Sequence, residues 1–247
     1  MPRYDFRSPR ICVDAVLAAG AVVPLGHDQG HYLTHVLRLA GGDAVLAFNG
    51  RDGEWRAAIG GSKRSVSLTI GERTRPQDSL PDLRYVFAPL KHARLDYMVQ
   101  KAVELGARAL LPVITRHTQV ARVNTARMRA NVIEAAEQCG ILSLAEVAEP
   151  CTLETFLVDR DRSRALVFCD EDAEVTDPVA ALAALRGGTS GIDVLIGPEG
   201  GFAADERKSL AGQPATLRLA LGPRILRADT AAVAALALVQ AAWGDWR

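Results

Sequence analysis

The sequence predicts an α/β protein of two domains, a small N-terminal β-barrel followed by a larger domain with a parallel sheet. Its 247 residues are enough for two ordinary domains, and 49% hydrophobic with 23% charged side chains is typical of a folded chain. A polar stretch with two prolines, residues 74–81, predicts a linker. Strand-like segments precede it and strands alternating with helices follow it, so we expect domains at residues 1–73 and 82–247.

The N-terminal domain is predicted from short strands and turn signals. A strand-like segment at residues 44–48 leads through Asn49-Gly50, a pair typical of hairpin turns, to a second one at residues 54–59. Residues 65–70 alternate polar and apolar side chains, which indicates a half-buried strand. One short helix, at residues 31–39, interrupts the strands.

Five strand-like segments in the second domain, each followed by a helical one, predict a parallel sheet covered on both faces. The strands are predicted at residues 85–88, 109–113, 165–169, 193–196 and 217–221, and the helices at residues 95–105, 128–139, 178–185, 205–210 and 229–243. Ligands of such sheets bind at the carboxyl ends of the strands, so we expect functional residues in the loops there.

Several kinds of site and location are disfavoured. The longest apolar run, residues 231–239, is far shorter than the roughly 20 residues that span a membrane, and the N-terminus lacks the apolar core of a signal peptide, so we expect a cytoplasmic protein. Four cysteines without C-x-x-C spacing indicate free thiols. Dinucleotide-binding G-x-G-x-x-G, P-loop and G-x-S-x-G motifs are missing from the sequence.

Three histidines at four-residue spacing, His27, His31 and His35, could imitate a metal-binding helix face. The glycines Gly26 and Gly30 argue against a continuous helix through His27. We therefore interpret the three as surface or packing histidines, and no metal site is predicted.

A glycine-rich loop follows the predicted strand that ends near Leu195. Its sequence is Gly197-Pro198-Glu199-Gly200-Gly201, in which three glycines around a proline allow a sharp bend and close approach of a ligand to the backbone. Glu199 can present a carboxylate there. A tight strand-to-helix turn without a ligand is the alternative interpretation.

A second loop runs from Leu221 and Gly222 to Ala231 and leads into an alanine-rich helix that Asp229 or Thr230 would cap. Capping does not explain its apolar pair, Ile225-Leu226, between two arginines. Two such loops at neighbouring strand ends would form a slot with apolar walls and free backbone groups. That slot suits an adenine and ribose better than a pyrophosphate.

Positive charge is concentrated locally, although 29 basic and 29 acidic residues make the chain neutral overall. Residues 82–131 carry nine basic and three acidic side chains, and three more arginines lie near the N-terminus. This asymmetry permits a surface that faces phosphate. Solvated helix faces explain the charges equally well.

The sequence resembles the bacterial RsmE-like family of 16S ribosomal RNA uridine N3-methyltransferases, in the SPOUT superfamily. The similarity runs nearly end to end, through residues 31–38, Gln100-Lys101-Ala102-Val103-Glu104-Leu105-Gly106 and Glu134-Ala135-Ala136-Glu137-Gln138-Cys139. Its specific signal is the pair of loops at residues 197–201 and 221–231, in this order and about twenty residues apart.

The resemblance implies a PUA-like β-barrel that helps to hold RNA and a SPOUT α/β domain with a trefoil knot. It also implies a homodimer without a metal or a membrane partner, acting on the 16S rRNA of the small ribosomal subunit. S-adenosylmethionine would be held by Leu195, Gly197, Pro198, Glu199, Gly200, Gly201, Leu221, Gly222, Ile225, Leu226, Arg227, Thr230 and Ala231. We expect RNA contacts from Arg3, Arg7, Arg10, Arg38, Lys91, Arg94, Lys101 and Arg116.

Three residues are expected to carry the chemistry of methyl transfer to uracil N3. Arg227 would stabilise the developing uracil anion, and Glu199 or Asp229 would accept the proton or orient the nucleotide. Both carboxylates could instead be structural. Alternative functions are methylation of another RNA position such as a ribose 2′-hydroxyl, a catalytically silent RNA-binding assembly factor, and an α/β enzyme that binds phosphate with the glycine-rich loop.

Overall fold

The computed structural model describes residues 5, 7–62, 65–120, 122–173 and 177–246. The chain divides into two compact units. The first contains the described residues up to Ser79 together with Ile133–Leu144, and the second contains those of Leu80–Val132 and Ala145–Arg247.

The first unit is built on a five-stranded sheet. Its strands are β1 (Arg10–Cys12), β2 (Val22–Pro24), β3 (Ala44–Phe48), β4 (Glu54–Ser62) and β5 (Ser65–Arg75), in the order β1-β3-β4-β5-β2. β1 pairs with β3 in parallel and the other pairs are antiparallel. In β5 the side chains of Leu68 and Ile70 are buried while that of Thr69 is exposed, so the predicted alternation is confirmed. Antiparallel pairing with β4 carries β5 five residues past its predicted end, to Arg75.

The helix of the first unit begins earlier than predicted. α1 covers His27–His31 and continues as a π-helical turn over Tyr32–Val36. Gly30 was expected to disfavour a helix through His27, which was wrong, because this glycine has a packing role. A Cβ at Gly30 would lie 3.1 Å from Val66 on β5, so the missing side chain lets α1 approach the sheet.

The segment Ile133–Leu144 joins the first unit, whereas the sequence pattern assigned it to the second domain. Its Glu137 accepts a hydrogen bond from the backbone N–H of Cys12 at 2.9 Å, and Leu142 packs with Cys12 and Phe48 in a buried cluster. These partners are more than 90 residues away in the chain. A pattern read locally cannot reveal such a contact.

The second unit contains a parallel sheet, as predicted. Its strands are β6 (Leu83–Phe87), β7 (Ala109–Ile114), β8 (Glu146–Val147), β9 (Cys151–Thr152), β10 (Ala165–Cys169), β11 (Ile192–Ile196) and β12 (Thr216–Leu219). The order is β12-β10-β11-β6-β7-β8, with β9 also on β7, and every pairing is parallel.

The helices of this part of the chain lie close to the predicted positions. They are α2 (His92–Glu104), α3 (Thr125–Cys139), α4 (Leu153–Asp159), α5 (Pro178–Ala183), α6 (Ala204–Ala211) and α7 (Ala228–Ala242). The short α4 was not predicted. None of the helices formed by the described residues is long and apolar enough to cross a bilayer.

The amino ends of the central strands are joined by a buried ion-pair network. Asp193 on β11 is fully buried and binds Arg84 at 2.7 Å and Arg164 at 2.8 Å. The hydrogen bonds that Arg84 donates to Asp193 raise the pKa of Arg84. The charged residue inside an apolar strand is therefore structural, and it lies at the end of the sheet opposite the candidate loops.

Candidate functional site

At the carboxyl edge of the second unit's sheet, loops follow β12, β10, β11, β6 and β7. The two loops singled out from the sequence follow β11 and β12. Neighbouring strand ends were predicted for the two loops, but β11 and β12 are not neighbours. β10 lies between them and pairs with β11 on one side and with β12 on the other. The loop after β10 therefore belongs to the site as well.

The glycine-rich loop after β11 is a sharp, tightly packed turn. Gly201 has φ +68°, and its N–H donates to the carbonyl of Pro198 at 2.9 Å. A Cβ at Gly197 would lie 2.8 Å from the ring of Phe202. The glycines at both positions are thus required by the fold of the loop itself.

His117, in the loop after β7, holds this turn from the other side. Its Nδ1 lies 3.1 Å from the carbonyl oxygen of Gly200 and 3.0 Å from that of Gly201, so it donates to these acceptors. A Cβ at Gly200 would approach the His117 Cβ to 3.3 Å. No site role was predicted for His117, although it belongs to a basic stretch that starts at a strand end and was expected to border the same cleft.

Arg116 is placed beside the same turn. Its guanidinium makes a bidentate ion pair with Asp205 on α6, at 2.8 and 2.5 Å. Its backbone N–H donates to the carboxylate of Glu206. This pairing lowers the pKa of Asp205. The guanidinium remains more than half exposed, so Arg116 lies on the surface but with its charge already paired.

The loop after β12 is open and apolar. Gly222 has φ +92°, and a Cβ there would meet no atom within 4 Å. Ile225 is 92% exposed. Among the described residues, the backbone N–H groups of Leu221, Gly222, Arg224, Ile225 and Leu226 find no hydrogen-bond partner.

The loop ends at α7, whose N-terminus differs from the prediction. The N-cap position is Arg227, without a side-chain cap, so neither Asp229 nor Thr230 is the capping residue. Asp229 lies instead in the first turn, where its Oδ1 accepts the N–H of Thr230 at 2.9 Å. A carboxylate in this position is stabilised by the helix dipole.

Arg94, on the first turn of α2, connects the two loops. Its Nη1 lies 3.2 Å from Glu199 Oε1 and its Nε lies 3.9 Å from Asp229 Oδ2. The side chains are 40%, 38% and 22% exposed, respectively. Glu199 and Asp229, both predicted to be catalytic, thus contact Arg94, which was predicted to bind RNA.

The loop after β10 was missed by the sequence analysis. It carries Asp170, Glu171 and Asp172, and Arg207 of α6 forms ion pairs with all three. Arg218 on β12 binds the buried Asp170 as well, at 2.7 Å. These two arginines offset two of the three negative charges of the acidic cluster beside the glycine-rich loop. Burial raises the pKa of the preceding Cys169 to about 12.

The other predicted cofactor residues divide by exposure. The side chain of Leu195 is fully buried in the hydrophobic core, and a contact of this residue with the cofactor stays a prediction. Pro198 and Ala231 are also buried. Gly200, Arg227 and Thr230 are exposed, and Gly197, Gly201, Leu221 and Leu226 are half-buried.

The residues predicted to contact RNA also divide. Arg10 is a correction, because its guanidinium is buried and bound to Glu54 at 2.9 Å inside the first unit. Lys101 binds Glu104 at 2.7 Å. The side chains of Arg7, Arg38 and Lys91 are exposed, and within the described ranges no carboxylate lies within 4 Å of their charged groups. Arg3 lies outside the described residues.

The loop after β12 fits the adenosine half of the cofactor that the sequence resemblance implies. Unbonded backbone N–H groups can pair with the polar edge of a purine, and exposed Ile225 and half-buried Leu226 can cover its faces. Gly222 leaves the approach to the backbone open.

Two family models match the chain. An RNA methyltransferase domain matches residues 77–240, and an RNA methyltransferase PUA domain matches residues 25–71. The second match, together with the fold of the solved relatives described next, confirms the predicted α/β class with a PUA-like N-terminal part. The trefoil knot stays a prediction.

Individual proteins match over nearly the whole chain. The ribosomal RNA small subunit methyltransferase E of Rickettsia conorii is 32% identical over 233 residues, 94% of each chain. The crystal structure of the protein of that name from Neisseria gonorrhoeae, bound to S-adenosylmethionine, is 27% identical with a TM-score of 0.87 and covers 98% of this chain and 100% of its own. A Legionella pneumophila protein solved with the same cofactor is 29% identical, with a TM-score of 0.81 and coverages of 97% and 99%.

Proposed function

Because the chain belongs to the RNA methyltransferase family that includes ribosomal RNA small subunit methyltransferase E, we propose that it methylates N3 of a uridine in 16S rRNA. Membership follows from the domain match over residues 77–240 and from the relative that is 32% identical. The names of the relatives support a small-subunit rRNA substrate. The solved relatives with S-adenosylmethionine support that molecule as methyl donor.

The cofactor, when bound, supplies an electrophilic methyl group. The chain's own contribution is to hold and orient. Backbone groups of residues 221–226 and the side chains of Ile225 and Leu226 hold the adenosine, and the turn at Gly197–Gly201 forms the opposite wall. Since His117 and Phe202 fix that turn, the geometry is organised before the substrate arrives.

Uracil N3 carries a proton at neutral pH, so the enzyme must remove it and stabilise the charge that develops. Glu199 or Asp229 accepts the proton in this proposal, and Arg227 stabilises the anion on the uracil oxygens. The exposed Arg227 precedes Asp229 by two residues at the start of α7. The target base must be unpaired or flipped out of its helix to reach these groups.

The observation that carries this mechanism is the meeting of Glu199 and Asp229, from two loops of the sheet edge, on Arg94. The decisive experiment uses the purified full-length protein, labelled S-adenosylmethionine and small ribosomal subunits that lack the modification, followed by nucleoside analysis. Label in 3-methyluridine supports the proposal. Label in a 2′-O-methylated nucleoside would keep the reaction class and overturn the position. No label and no cofactor binding would support an RNA-binding assembly factor.

The outer face of α7 supports the expected homodimer. The half-buried residues that follow Asp229 are all apolar, and the helix carries no charged side chain after Asp229. A helix that is apolar on every side is normally covered on every side, so a second copy of the chain is the proposed cover. The covering residues would be Val233, Ala234, Ala237 and Leu238. Sedimentation should show a dimer, and Leu238→Lys should shift it to monomer.

A further inference from the structure

We propose that Arg94 is a positioning residue for methyl transfer that acts through Glu199 and Asp229, and that it does not bind RNA phosphate. This inference rests on the proposed function. It assigns to Arg94 a task different from the one expected of a basic residue in a positively charged stretch.

The geometry places one cation at the junction of three chain segments. The guanidinium comes from the first turn of α2, Glu199 from the loop after β11 and Asp229 from the first turn of α7. The contacts are 3.2 Å to Glu199 and 3.9 Å to Asp229. The two carboxylates come from different segments of the sheet edge, and Arg94 is the cation that contacts both of them.

The charges around the pair make that cation necessary. Two carboxylates sharing a guanidinium repel each other once it is removed. The other titratable groups near them are the buried Tyr85 of β6, the exposed Arg227 before Asp229, and His117, which faces Gly200. In the part of the chain that the structure describes, neither Arg227 nor His117 lies within 4 Å of either carboxylate, so neither replaces Arg94.

The same contacts disfavour a phosphate role. A phosphate approaching Arg94 would meet the carboxylate of Glu199, which accepts a hydrogen bond from Nη1, and the carboxylate of Asp229, which lies 3.9 Å from Nε. Arg7 and Arg38, in contrast, are exposed cations with no carboxylate within 4 Å among the described residues. Phosphate contacts are therefore expected from them, and a structural task from Arg94.

The test compares Arg94→Gln and Arg94→Lys with the unchanged full-length protein. Steady-state methyl transfer to unmodified small subunits gives kcat and KM for RNA, and calorimetry gives the affinity for S-adenosylmethionine. We expect Arg94→Gln to lower kcat about 10- to 100-fold, the scale of a misplaced catalytic group, with KM and cofactor affinity within about 3-fold. Arg94→Lys keeps the cation and should recover part of kcat.

Arg129→Gln is the matched control. Arg129 is an exposed arginine of the same unit that binds exposed Glu149 at 2.8 Å, so it should keep full activity. Thermal unfolding checks that each variant is folded. We expect all of them to be folded, because a half-exposed ion pair contributes little to stability.

Double variants test whether Arg94 acts through its partners. In Glu199→Gln or Asp229→Asn protein, adding Arg94→Gln should cost little more activity, because the interaction is already broken. A raised KM with unchanged kcat, together with a weaker salt dependence of RNA binding, would overturn the proposal and make Arg94 a phosphate contact. Absence of 3-methyluridine with the unchanged protein would instead contradict the proposed function, whatever Arg94 does.

Discussion

Arg227 and Arg94 differ in their surroundings although both belong to the site. Arg94 is paired with two carboxylates, whereas Arg227 stands exposed at the N-cap of α7 with no carboxylate within 4 Å among the described residues. A guanidinium without an acidic partner is available to a substrate. This contrast is why the anion-stabilising role is given to Arg227.

Arg227→Ala should lower kcat for methyl transfer about 100-fold, since it removes the cation that stabilises charge in the transition state. Affinity for S-adenosylmethionine should stay within about 3-fold, because backbone groups hold the adenosine. Single-turnover kinetics and calorimetry measure the two quantities separately. Lost cofactor affinity at unchanged chemistry would show that Arg227 binds the cofactor instead.

Glu54 provides a residue-scale prediction for stability. Burial tends to raise the pKa of its carboxyl, but hydrogen bonds from Arg75, Thr74 and Arg10 outweigh this and leave the pKa below its ordinary value of 4.5. A lowered folded-state pKa stabilises the protein above the unfolded-state pKa. That stabilisation is lost as the pH falls through the folded-state value.

Glu54→Gln should therefore destabilise the protein by about 3 kcal/mol at pH 7, because two buried or nearly buried arginines lose their counter-charge. The difference from the unchanged protein should shrink as the pH falls below 4.5 and through the lower folded-state pKa, where the unchanged protein also loses the charge of Glu54. Urea unfolding at pH 7, 5 and 3 measures it. A difference that stays constant over this range would contradict the buried ion pair.

At the scale of elements, the carboxyl edge of the sheet depends on strand order. β10 lies between β11 and β12, so its acidic loop separates the two loops that the sequence indicated. Arg207 and Arg218 bind that loop from α6 and β12. The site is consequently built from more of the chain than its recognisable motifs.

Gly222→Ala should weaken binding of S-adenosylmethionine about 5-fold, because a side chain at φ +92° costs about 1 kcal/mol and the loop relaxes away from its open conformation. Gly20→Ala is the matched control, since Gly20 also has a positive φ, +82°, and an unobstructed Cβ position. It should affect stability similarly and leave cofactor binding unchanged. If both variants bind S-adenosylmethionine with equal affinity, this loop is not part of the cofactor site.

For the whole molecule, the neutral net charge conceals exposed basic residues in both units. Arg7 and Arg38 belong to the first unit and Lys91 to the second, and each is exposed. RNA binding that uses such residues releases counterions and weakens with added salt. The PUA match over residues 25–71 includes Arg38.

Arg38→Gln should weaken binding to 16S rRNA and make the slope of log K against log salt concentration less steep by about 0.7 to 0.9, the value of one phosphate contact. Filter binding at several salt concentrations measures this, with Arg129→Gln as the control. An unchanged slope would show that Arg38 does not face phosphate.

The sequence by itself determined the local elements and the class of the fold. The alternation of β5 and the succession of apolar strands and amphipathic helices depend on residues that are neighbours in the chain. For this reason the sequence could predict the bounds of β3 and β10 as the structure has them. The loops after β11 and β12 were also recognisable, because glycine and proline act on the local backbone.

Only the tertiary structure decided which distant residues meet. The pairing of Arg94 with Glu199 and Asp229 joins positions more than 100 residues apart, and the burial of Arg10 depends on Glu54 across the sheet. The placement of Ile133–Leu144 in the first unit is of the same kind. An exposed and a buried arginine look alike in sequence, since the difference lies in the partner that folding brings to each.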